Sequence, residues 1–118
     1  MPPKSPKSDF DVVRQIGLSL PDVVHTTSAR GEGLRVRGKL MACHAVHKSA
    51  EPHSIMVRMS ADERDRLIAE DPRRFYITDH YEKHPAVLVR LQLVKREQLE
   101  NVLAISWQYV FERSGQKP

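Results

Sequence analysis

Six histidines, one cysteine and a run of basic side chains are the residues of this 118-residue chain that could do chemistry. The densest group is basic: Arg30, Arg35, Arg37, Lys39 and Lys48, opposed between residues 30 and 48 only by Glu32. Arg35 and Arg37 stand two apart and so share one face of a strand, with Lys39 following at a glycine turn. Side chains placed this way track phosphates, release counterions and fix the register of a nucleic acid. The same charges also keep a sheet edge unpaired. No helix has the dense basic face of a recognition helix, so a hairpin carrying Arg35, Arg37, Lys39 and Lys48 is the candidate nucleic-acid contact.

A second group, Tyr76, His80, Tyr81, His84 and Arg90, offers a different chemistry. Aromatics beside arginine occur in single-strand sites and in protein interfaces, so this surface is the alternative site, for a protein or small-molecule partner. Metal chemistry is not expected. His44 and His47 do not share a strand face by alternation, and His80 and His84 sit in a proline-ended loop rather than on a helix. Zinc needs three or four convergent ligands, and no cysteine pair or zincin motif supplies them. Cys43 falls by alternation on the apolar face with Met41 and Leu34, where a thiol is inert. Ser28, Ser60 and Ser106 lack a nucleophile-elbow context. The expected class is a non-enzymatic binding module without a cofactor.

The elements that must position these groups follow from pattern. Ser8 and Asp11 resemble a cap for a first helix, whose inner arc holds Phe10, Val13, Ile16, Gly17 and Leu20 and which ends at Leu20-Pro21. Gly38-Lys39 predicts a two-residue hairpin turn that pairs Arg37 with Leu40, Val36 with Met41, Arg35 with Ala42 and Leu34 with Cys43. That register puts Leu34, Val36, Met41 and Cys43 inside, and Arg35, Arg37, Leu40 and Ala42 outside. Ile55, Val57 and Met59 alternate along a further strand. Ser60-Ala61-Asp62-Glu63 caps a second helix with Leu67, Ile68 and the Arg64 stem inward, stopped at Asp71-Pro72. Phe75 and Ile77 mark a short strand, and Val87, Val89, Leu91 and Leu93 a longer one. A last helix runs from about Lys95 to Glu112 with Leu99, Val102, Leu103, Ser106 and Val110 inward, widened by Trp107. Grouped strands predict an α+β fold: an antiparallel sheet packed with three helices.

The length fits one domain. Residues 1–8 read as a disordered lead-in, 9–112 as the domain and 113–118 as a tail. Of the formal +4 charge, Lys4, Lys7, Arg113 and Lys117 lie in those ends, so the domain itself is close to neutral. No apolar run reaches membrane-spanning length, no secretory h-region opens the chain, and a single cysteine fits a reducing compartment. The expected location is cytoplasmic.

Leu20-Pro21-Asp22-Val23, Leu34 to Ala42 with its Val-Arg-Gly-Lys hairpin, Phe75 to Leu91 and Ser106-Trp107 together resemble the MmcQ/YjbR-like family across roughly residues 9–112. The resemblance implies a double-wing α+β domain of a kind commonly labelled DNA-binding, and it brings no enzymatic reaction with it.

Overall fold

Antiparallel pairing organises the chain, as the grouped strands predict. The computed structural model describes residues 10–114. Its elements are α1 (Phe10–Leu18), β1 (Val23–Ser28), β2 (Gly31–Val36), β3 (Lys39–His44), β4 (Ser54–Arg58), α2 (Ala61–Glu70), β5 (Phe75–Tyr76), α3 (Asp79–Glu82), β6 (Ala86–Arg90) and α4 (Arg96–Arg113). The six strands form one sheet in the order β1-β2-β3-β4-β6-β5, antiparallel throughout. Among the described residues, no helix is long and apolar enough to cross a membrane. The lead-in 1–8 and the Ser8 cap lie outside the described residues, and the last helix continues one residue past Glu112, to Arg113.

One face of the sheet carries the core. Leu34, Val36, Ala42, Ile55, Val57, Val87 and Val89 are fully buried and join Phe10, Val13 and Ile16 of α1, Leu67 of α2, and Leu99, Val102, Leu103 and Val110 of α4. All five inward positions expected of α4 are buried, Ser106 included. Gly17 is buried where α1 meets Leu34, and a Cβ there would overlap the leucine side chain. Ser60 caps α2 by accepting from the Glu63 N–H at 3.2 Å.

The hairpin between β2 and β3 departs from the expected register. The turn residues are Arg37 and Gly38, both left-handed at φ 53° and 82°, which is the paired conformation of a type I′ turn. Val36 therefore pairs with Lys39 and Arg35 with Leu40, but Leu34 pairs with Ala42, so Met41 is an extra residue, a β-bulge. The bulge reverses two expected placements. Ala42 is fully buried inside, whereas Cys43 faces outward opposite Gly33 and Met56. The buried Ser106 Oγ donates to the Met41 carbonyl at 3.0 Å, which satisfies the one polar residue in the α4 stripe.

Two further expectations are corrected. The described residues form four helices rather than three, because Asp79–Glu82 makes a single turn, α3, that buries Tyr81. One turn is too short to show a helical period. The strand after Pro85 ends at Arg90: the Leu93 and Val94 N–H groups both bond to the Arg90 carbonyl, so Leu91 and Leu93 belong to the turn into α4. Ala86 to Val89 is buried on both faces, which erases the alternation there.

The close approach at Gly17 gives a test. A Gly17→Val chain should lose about 2 kcal/mol of stability by overpacking against Leu34, read as a lower urea midpoint. An unchanged midpoint would mean that Leu34 yields freely.

Candidate anion-binding groove

The outer face of the sheet is covered unevenly, and the step between its halves makes a groove. Over β6 and β5, α3 and the β3–β4 connection bury Ala86 and Leu88 on that face. Over β2, β3 and β4 the outward residues Gly33, Arg35, Leu40, Cys43, Met56 and Arg58 form an open floor. Thr26, Thr27, Ser28 and Arg30 of the β1–β2 hairpin rise on one side; Val46, His47, His80, Tyr81, His84 and Pro85 form the wall on the other. The groove, open to solvent, has a volume of about 810 Å³. At Gly33 a Cβ would stand 3.3 Å from both the Ala42 carbonyl and Thr26 Oγ1, so the floor stays low there.

Hydrogen bonds hold the wall. The His47 backbone N–H donates to Tyr81 Oη at 3.0 Å and ties the connection to α3. The Ser49 N–H donates to His47 Nδ1 at 3.0 Å, which fixes that nitrogen as an acceptor and places the neutral ring's proton on Nε2. Ser49 Oγ in turn meets Thr78 Oγ1 at 2.9 Å. The His80 ring stacks on His47, with centroids 3.5 Å apart and planes 5° from parallel. His84 lies 6.2 Å from His80, and Tyr81 stands edge-on to both His80 and His47. Partial burial, and then the cationic charge that His47, His84 and Lys83 would add, hold the His80 pKa below its ordinary value.

On the α1 side of the same strands, Glu32 accepts from His25 Nε2 at 2.9 Å and lies 3.8 Å from His44 Nε2, whose ring packs 4.9 Å from Phe10. On the floor, burial pushes the Cys43 thiol up, against a smaller lowering by Arg35. Arg35 Nη1 donates to the Gly38 carbonyl at 3.0 Å and keeps its remaining donors at the surface.

The structure thus divides the two groups of residues read from the sequence. Arg35 joins His80, Tyr81 and His84 in one groove. Arg37 does not reach it: its guanidinium lies 4.3 Å over the Phe111 ring and 3.6 Å from Asp22. Lys39 and Lys48 are exposed next to lining residues without lining it themselves. Tyr76 and Arg90 form a structural clamp. Arg90 lies 4.1 Å over the Tyr76 ring and makes two bonds to Glu51, at 2.8 and 2.7 Å. Tyr76 Oη accepts from the Glu51 N–H and bonds the buried Ser54 hydroxyl. Arg58 and Met56 are lining residues that the sequence reading passed over, although their offset from Ile55 and Val57 on β4 assigns them to the outer face. His47 carries no such local signal, since its place depends on a connection without periodic structure.

A family model described as YjbR matches residues 18–109. The chain belongs to the YjbR family. Its fold is shared with the crystal structure of protein DR2400 of Deinococcus radiodurans, a DUF419-domain protein, at a TM-score of 0.70 and 19% identity. That match covers 89% of this YjbR chain and 80% of the other. Among curated proteins none matches.

Two measurements check these assignments. Tyr76→Phe strands the buried Ser54 hydroxyl and should cost about 1–3 kcal/mol in chemical denaturation while leaving ligand affinity unchanged. Loss of affinity at full stability would instead put Tyr76 in the site. Cys43 in the folded protein should react with iodoacetamide more slowly than in urea at the same pH, because its raised pKa lowers the thiolate fraction. Equal rates would show an open, ordinary thiol.

Proposed function

We propose that this YjbR-family chain is a non-enzymatic binding module that holds DNA along the groove, with Arg30, Arg35 and Arg58 as phosphate contacts. Lys39 and Lys48 add charge at its margins. The lining carries the reading. Three arginines and three histidines (His47, His80 and His84) face the groove, whereas Glu32 at its end falls by register on the α1 face together with His25 and His44. A concave surface of one charge sign raises the local concentration of a polyanion. The double-wing resemblance favours DNA as that polyanion, and the raised Cys43 pKa speaks against nucleophilic chemistry on the floor. Arg37 has no part in the contact.

A second reading has its own support. Leu40, Met56 and Tyr81 give the groove an apolar component, and its volume lies within the range typical of small-ligand pockets. A compact anion with an apolar body would use the same arginines.

Fluorescence anisotropy with labelled single-stranded and duplex oligonucleotides separates the readings. Salt-sensitive binding is expected, and an Arg30→Ala/Arg35→Ala chain should weaken it across sequences and lower the salt slope by about two. Arg37→Ala should leave DNA affinity within about twofold, as for a residue outside the interface. Binding unaffected by the Arg30/Arg35 pair would remove the groove as the DNA site. Absence of DNA binding would leave the small anion.

A further inference from the structure

We propose that the histidine wall of the groove is a proton-linked phosphate subsite: His80 or His84 takes up a proton when a phosphate seats against it, so anion binding tightens as pH falls. This rests on the groove being the anion site, and it adds which end grips the phosphate and what controls the grip.

The geometry separates two kinds of cation. Arg30, Arg35 and Arg58 carry fixed charge at every physiological pH. The imidazoles carry charge only when protonated, and for His80 partial burial and the cationic neighbours His47, His84 and Lys83 disfavour that charge. A charge on His80 meets His47 in van der Waals stacking, and beyond it His84 and Lys83 at the end of α3. The Tyr81 ring plane is nearly perpendicular to those of His47 and His80. The acidic groups are elsewhere: Glu32 is engaged by His25 and His44, and Asp79 and Glu82 of α3 are outside the lining. The wall therefore has an arrangement of titratable rings with no carboxylate set against them in the lining. A phosphate oxygen in the groove supplies that missing opposite charge.

His47 Nδ1 is already occupied inside the wall, accepting from the Ser49 N–H at 3.0 Å and lying 2.9 Å from Ser49 Oγ. The His47 ring serves as the flat support on which His80 is held. The linked proton then goes to His80 or to His84.

The sign follows from reciprocity. If a bound anion raises the affinity of a ring for its proton, the proton raises the affinity for the anion by the same factor. Affinity rises as pH falls through the pKa of the occupied site and levels off below the pKa of the empty one. One linked proton allows at most about a tenfold gain per pH unit between those limits.

Two experiments on the full chain test this. In the first, anisotropy of a labelled oligonucleotide is followed from pH 8 to pH 6 at constant salt. Tightening of about tenfold is expected for the unmodified chain, falling to about twofold in His80→Asn/His84→Asn. Arg30→Ala/Arg35→Ala should shift the whole curve to weaker binding and keep its pH slope. A double-histidine variant with the full slope would overturn the proposal. The second is independent of DNA: NMR titration of the histidine rings with and without inorganic sulfate, a phosphate stand-in whose charge is constant over this range. An upward pKa shift of His80 or His84 with sulfate supports the subsite even where DNA fails to bind, and unmoved pKa values for both rings overturn it.

Discussion

Side chains on a strand alternate with period two, so one inserted residue exchanges the faces of everything beyond it. Met41 is that residue, and the rest of the architecture depends on where it sits. Before it, Leu40 stands beside Arg35 on the outer face; beyond it, Ala42 enters the core and Cys43 emerges on the groove floor. The α4 helix meets the bulge with Ser106, whose hydroxyl bonds the Met41 carbonyl inside the core. A serine in an otherwise apolar stripe is thus the counterpart of an irregularity in the strand opposite. Core and groove are two sides of the same displacement.

Cations are divided between holding the fold and lining the groove. Arg37 occupies a left-handed turn position that costs a non-glycine residue about 1 kcal/mol, and its contact with Phe111 and Asp22 offsets that cost. Arg90 is committed to Glu51 and to the Tyr76 ring. Arg74 bonds Asp71 and the Leu93 carbonyl at the start of the turn into α4. The groove is left with Arg30 and Arg35 from the basic run at residues 30–48, and with Arg58 of β4, whose guanidinium also donates to the Leu40 carbonyl and lies 5.5 Å over the Tyr109 ring. Clustering of basic residues in sequence therefore finds two of the three groove arginines, and the sheet adds Arg58 while turning Arg37 away.

Much of the fold was legible because it rests on periodicity. The α4 stripe, the inward alternation of Ile55, Val57 and Met59, the Ser60 cap and the tight packing at Gly17 all follow from spacing and local chemistry. What escaped was non-periodic. A bulge leaves no mark in residue type, so Cys43 and Ala42 were exchanged. A one-turn helix is shorter than its own period, so α3 read as loop. The site was half legible: Arg35, His80, Tyr81 and His84 were singled out, but as members of two different surfaces. Their union needs the β3–β4 connection to fold back onto α3 through His47 and Tyr81, a contact between positions far apart in the chain.

The two sides of the groove differ in how they are supported. The floor is a sheet backed by α1 and α4 and shares their core. The wall rests on Tyr81 and the outer side chains of β6, which lie on the other face from that core, and it is joined across the groove's edge by polar contacts at His47, Ser49 and Thr78. Core packing sets the floor, and Tyr81 with the polar contacts of His47, Ser49 and Thr78 sets the wall, so the two sides of the groove are held by separate sets of residues.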